Sequence, residues 1–193
     1  TEYELWDKKT ASKNCEWFVA AIPERLGLLE QTVKNNEPTV DFCADYSPES
    51  LTKLNRWLCE NVTIRKLTEE EISKPHGQEL SLSVLKDRRE AMASGVIDDW
   101  TLTDQSISLA YDIGAYLGEV LHKQYPEQLY WGLRRTRDKI DIDYNKPVLY
   151  GFVQDMWFEP VRIVEVLEYG VADPNDNKER NLGKIYHHWI GLV

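Results

Sequence analysis

The chain has 193 residues, 42% hydrophobic and 29% charged, a balance that excludes a disordered polypeptide and suits one domain, residues 1–193, with a real core. Its 33 acidic residues against 23 Lys and Arg leave a formal net charge of -10, which opposes long-range attraction to nucleic acid phosphate and anionic lipid and favours a basic partner. No apolar run nears the roughly 18 residues of a membrane helix, and Thr1 to Lys13 holds no signal-peptide core, so no membrane contact and a cytoplasmic location are expected.

In chain order, Cys15, Phe18, Val19 and Ile22 fall at helical spacing and predict a first helix over about Ser12–Ala21. Pro23 breaks or restarts it, and a second helix carrying Leu26, Leu29 and Val33 is expected to reach about Lys34. A short extended piece, Thr39–Cys43, follows. Ser47-Pro48 then reads as the cap and first position of a helix that buries Leu51, Leu54, Trp57 and Leu58. Thr68 with Glu71 forms a capping-box pattern for a brief helix ending before Pro75. Leu82–Ala93 reads as a helix closed by Gly95.

The clearest element is a long helix over about Asp104–Gln124, capped by Thr103, with Ile107, Ala110, Ile113, Gly114, Leu117, Val120 and Leu121 as its apolar stripe. Asp112, Tyr116, Glu119 and Lys123 form the opposite stripe, read as a solvated face. Strands are then expected at Leu129–Arg135, Lys139–Tyr144 and Pro147–Val153. In the second of them Ile140, Ile142 and Tyr144 alternate with Asp141 and Asp143. Short connections make these an antiparallel meander. A helix from Pro160 to Gly170 and a last helix carrying Leu182, Ile185, Tyr186, Trp189, Ile190 and Val193, capped by Asp176 or Glu179, complete the chain. Helices segregated from a small three-stranded antiparallel sheet define a mostly helical α+β fold.

The chemical constellations are sparse. Cys15, Cys43 and Cys59 lack CxxC spacing, so neither a disulfide framework nor a zinc site is expected, and the thiols read as reduced and largely buried. His76, His122, His187 and His188 have no local partner. His187 and His188 point about 100° apart on a helix and cannot chelate one metal together. Asp173, Asn175 and Asn177 imitate the start of a calcium loop, but Lys178 and Lys184 occupy its glycine and glutamate positions, leaving a turn. No GxSxG elbow or HExxH pair occurs, and no metal or cofactor is expected.

Asp112 and Glu119, about 10 Å apart along one helical face, are the one carboxylate pair that could serve catalysis, with His122 as a further member. Gly114 and Gly118 imply close approach of another backbone, with the sheet as a candidate. Trp57, Trp131 and Trp189 lie in core stripes, whereas Trp6, Trp17, Trp100 and Trp157 are harder to bury from the pattern alone; partial burial is the first expectation for them and an interface the alternative.

Ile22-Pro23-Glu24-Arg25-Leu26, Ser47-Pro48-Glu49-Ser50-Leu51 with Trp57, Tyr116-Leu117-Gly118-Glu119-Val120, Pro147-Val148-Leu149 and Pro160 together resemble a family of small bacterial proteins of unknown function, over about Trp17–Gly170. The resemblance implies bacterial origin and singles out Glu119 as the motif carboxylate. The expected function is a non-enzymatic, acidic protein-binding module, analogous to immunity proteins that block basic toxins, with Asp112, Tyr116, Glu119 and Trp131 as candidate binding residues. The alternatives are an enzyme with a carboxylate site at Asp112 and Glu119, and a structural or oligomeric subunit suggested by the two helical glycines.

Overall fold

In the computed structural model, which describes residues 2–36, 41–75, 80–136, 141–176 and 181–193, the apolar stripes converge on one long helix. The helices are α1 (Glu2–Leu5), α2 (Lys8–Asn36), α3 (Pro48–Asn61), α4 (Glu69–Ser73), α5 (Leu82–Ala93), α6 (Asp104–Gln124), α7 (Pro160–Ala172) and α8 (Leu182–Ile190). The strands are β1 (Ile64–Lys66), β2 (Trp100–Leu102), β3 (Tyr130–Leu133), β4 (Pro147–Tyr150) and β5 (Trp157–Phe158). The fold is α+β: β3, β4 and β5 form an antiparallel sheet in that order, with Trp131 opposite Leu149 and Leu149 opposite Phe158.

Helix α6 starts where Thr103 accepts a hydrogen bond from the Ser106 amide, and it carries Ile113, Leu117, Val120 and Leu121 into full burial. Each such side chain contributes about 1.5–3 kcal/mol relative to exposure. Helices α7 and α2 pack most extensively against α6, and α3 and α8 close the other side. Gly114 and Gly118 explain the fit at α7. A Cβ on Gly114 would stand 2.6 Å from the Val161 Cα, and one on Gly118 would stand 2.5 Å from the Trp131 ring. The close neighbours are thus the first turn of α7 and one side chain of the sheet.

The face of α6 expected to be solvated is instead covered. Tyr116 is fully buried, and its hydroxyl contacts Ser50 Oγ at 2.5 Å and accepts from the Tyr46 amide at 3.1 Å. Burial pushes its pKa up to about 12. Asp112 is also buried, Glu119 is half-buried, and only Lys123 of that stripe is exposed. The polar stripe is satisfied by partners rather than by water, which periodicity alone does not distinguish.

Other boundaries differ from expectation for local reasons. Helix α2 runs unbroken through Pro23, because Ala11, Cys15, Ile22, Leu26, Leu29 and Val33 bury on one continuous face while Pro23 sits on the solvent side. There water can serve the carbonyl that proline leaves without a donor. Residues 41–47 form no strand; Phe42 is instead buried edge-on to Tyr116, their centroids 5.6 Å apart. Thr39 and Val40 lie outside the described residues.

Of the strand expected at Lys139–Tyr144, Lys139 and Ile140 lie outside the described residues, and residues 141–144 form no strand: 142–145 are a turn in which Asp143 is buried and Ile142 exposed, the reverse of the alternation. The third strand of the sheet is β5. Residues Ile64–Lys66 and Trp100–Leu102 form an unanticipated antiparallel ribbon. Gly170 lies inside α7 rather than ending it, and Asn181, not Asp176, caps α8 through Lys184 N. Glu179 and the calcium-like position Asn177 lie outside the described residues. Cys15 is buried as expected, but Cys43 and Cys59 are exposed. Helix α5 carries no buried residue.

Helix α7 buries Glu168 completely, with no hydrogen-bond partner for either carboxyl oxygen among the described residues. Burial pushes this carboxyl up to about 8, and Glu165 adds to the shift.

Candidate functional site

Two neighbouring recesses open along α2 and α6, one of them reaching the first turns of α7, and Phe18 and Tyr111 line both. The first, about 200 Å³, lies beside Trp17 on α2. Arg25 donates from Nε to Asp112 Oδ1 there at 2.5 Å. Burial raises the Asp112 carboxyl, against the opposing pull of Arg25. Trp17 is 65% exposed and therefore forms an open aromatic rim.

The second recess, about 230 Å³, is lined by Tyr3, Lys146, Glu159, Arg162 and Glu165. Tyr3 is brought there because Asn145, in a left-handed conformation (φ 65°), donates to the Tyr3 and Trp6 carbonyls at 2.7 and 3.1 Å. Glu159 caps α7, accepting from the Val161 and Arg162 amides at 3.2 and 2.7 Å. Burial pushes its carboxyl up to about 7, while Lys146 and the Arg162 amide pull the other way. The Tyr3 and Tyr111 hydroxyls lie 3.2 Å apart.

Behind this recess runs a chain of alternating charges. Arg162 donates from Nε and Nη2 to the two oxygens of Asp143 at 2.8 and 2.9 Å, and Trp157 Nε1 donates to Asp143 Oδ2 at 2.9 Å. Arg134 stacks 3.3 Å above the Trp157 ring and donates to Asp141 at 2.9 Å. Burial pushes the Asp143 carboxyl up, but Arg162 and the indole outweigh it and hold it below the usual range. Asp143→Ala strands a half-buried guanidinium and an indole N–H. The expected loss is about 3 kcal/mol, read from the urea unfolding midpoint. Unchanged stability would show that the network contributes nothing.

The sequence-derived candidates are dispersed. Asp112 lines the Trp17 recess. Tyr116 is enclosed in the core. Glu119 accepts from Trp131 Nε1 at 2.7 Å, and His122 Nδ1 lies 3.5 Å from the same oxygen without hydrogen-bond geometry. Trp131 and Glu119 thus satisfy each other, and Trp131 meets Phe18 edge-on at 5.5 Å. The carboxylates of Asp112 and Glu119 have separate partners, Arg25 and Trp131, and only Asp112 lines the Trp17 recess. Among the described residues no group of three His, Cys, Asp or Glu is placed to hold a metal. The Cys43 thiol is pushed up by its hydrogen bond to Glu30, which makes it a poor nucleophile.

Lys146, Glu159 and Arg162 had no distinctive spacing. The one local signal was Glu159 immediately before Pro160, the cap position of a helix that begins with proline. Comparison with protein-family profiles, with curated proteins and with solved structures finds no match. Among the described residues no helix is long and apolar enough to cross a membrane.

Proposed function

We propose that this chain is a non-enzymatic, acidic protein-binding module whose partner is a basic protein, docked on the outer face of α2. Trp17 carries the reading: it is 65% exposed on a chain of net charge -10. Leu28, 47% exposed, continues the same helix face, and Glu16 and Glu24 are exposed beside it. An open indole flanked by carboxylates suits a Lys or Arg side chain, which can stack on the ring while pairing with Glu. The Trp17 recess, with Asp112 at its wall, receives the rest of the contact.

By analogy such a module would neutralise a basic toxin; the sequence resemblance supports a bacterial origin, and the composition a cytoplasmic location. Exposed tryptophans at such positions concentrate binding energy. Trp17→Ala is therefore expected to weaken partner binding about 30-fold, the equivalent of roughly 2 kcal/mol, with unchanged far-ultraviolet circular dichroism. The double substitution Glu16→Lys and Glu24→Lys lowers the association rate and flattens its salt dependence. Full affinity in the Trp17→Ala protein would remove α2 as the contact surface.

A further inference from the structure

We infer that the recess lined by Lys146 and Glu165 is a binding site for a small zwitterion, a free α-amino acid with an apolar side chain. Four observations converge on this chemistry.

The first is charge. Arg162 lines the recess, but its Nε and Nη2 are committed to Asp143. Glu159 lines it too, but its oxygens accept from the Val161 and Arg162 amides. Lys146 and Glu165 are different. Neither side chain makes a hydrogen bond or a close salt bridge among the described residues, and both are half-buried; Lys146 acts on Glu159 and Asp143 only through its longer-range field. One cation and one anion, neither in a close ion pair among the described residues, therefore line the same recess without pairing with each other. A buried or half-buried charge calls for an opposite charge. A ligand bearing a carboxylate and an ammonium supplies both at once, the carboxylate to Lys146 and the ammonium to Glu165.

The second is lining. Phe18, Ile107, Pro147 and Val161 give the remaining wall an apolar character suited to a hydrocarbon side chain. The third is size. A volume of about 230 Å³ equals about eight waters at liquid density, enough for roughly ten non-hydrogen atoms, and small beside ordinary drug-sized pockets. The fourth is construction. The walls are held by contacts that do not involve a ligand: Asn145 fixes the N-terminal segment, Glu159 fixes the start of α7, and Asp143 fixes Arg162. The site is preformed, so little binding energy goes into ordering it.

The test is calorimetric titration of the full chain with L-leucine and L-phenylalanine. Their deaminated acids (4-methylpentanoate, 3-phenylpropanoate) and decarboxylated amines (isoamylamine, phenethylamine) are titrated beside them. The expected result is saturable binding of at least one amino acid, with its acid and its amine each at least tenfold weaker. Lys146→Met, which keeps the aliphatic stem, reduces the amino acid to the affinity of its amine. Glu165→Gln reduces it to the affinity of its acid. The analogue series needs only the unmodified protein, so it stands if either variant misfolds. Absence of saturable heat from every amino acid at millimolar concentration overturns the inference. So does an acid or an amine that binds as tightly as its parent, since the recess would then recognise one charge only.

Discussion

Replacing Glu168 with Gln is expected to stabilise the protein at pH 8 by about 4 kcal/mol while changing it little near pH 4.5. The reason is the complete burial of a carboxyl whose oxygens have no hydrogen-bond partner among the described residues. Its pKa is pushed from 4.5 up to about 8. The folded state therefore keeps a proton that the unfolded chain has released, and stability falls as pH rises from about 4.5 to about 8, then levels off. Glu159, raised to about 7, loses stability in the same direction over the lower part of that window. Asp143 acts oppositely, because its lowered pKa withdraws stability only as pH falls below the ordinary carboxylate range. The wild-type transition temperature is thus expected to peak near pH 5 and decline toward pH 8, where many proteins are level. Glutamine keeps the shape of the side chain and has no proton to lose, so thermal unfolding of Glu168→Gln followed across pH should show a flatter profile. Equal profiles for the two proteins would mean that Glu168 ionises without cost.

The second large effect is expected at Gly114. Gly114→Ala places a methyl 2.6 Å from the Val161 Cα and 2.8 Å from its nitrogen, both backbone atoms at the first turn of α7. Backbone there cannot step aside as a side chain can, so α7 must shift away from α6 along their most extensive contact. A cost of about 3 kcal/mol is expected, against the roughly 1 kcal/mol that alanine gains over glycine in a helix. Gly27 is the internal control. It is helical and exposed on α2, and a Cβ there meets nothing within 4 Å. Gly27→Ala should stabilise by up to about 1 kcal/mol. Opposite signs for the two substitutions in urea unfolding confirm that Gly114 is kept for contact. Matching signs would refute it.

Much of the fold is legible in the sequence because local chemistry and burial agree. Ser47, Thr68 and Thr103 cap helices as their positions imply, the box between Thr68 and Glu71 closes, and Gly95 takes φ 72° after α5. Legibility fails where tertiary packing overrides a local rule. Pro23 lies inside α2 because six buried residues on one face hold the helix together. Asp141 and Asp143 alternate with apolar residues as a strand would, yet Asp143 turns inward to meet Arg162 and Trp157, an arrangement set by residues 14 and 19 positions away. The same distance conceals the site. Glu119 was visible as a motif carboxylate, but its partner Trp131 is on the sheet. Lys146 and Glu159 flank the paired strands β4 and β5, and Glu165 joins them from α7, none of which local spacing shows. Trp17 was legible in a weaker sense, as a tryptophan with no apolar stripe to join.

The central claim, binding of a basic protein through α2, is tested most directly by capture. The tagged chain and its Trp17→Ala variant are used side by side on native lysate at low and high salt, with recovered proteins identified and quantified by mass spectrometry. The predicted result is one basic protein recovered stoichiometrically on the unmodified chain, released as salt rises, and lost with Trp17→Ala. Recovery of no basic protein, or equal recovery on both chains at every salt concentration, would contradict it.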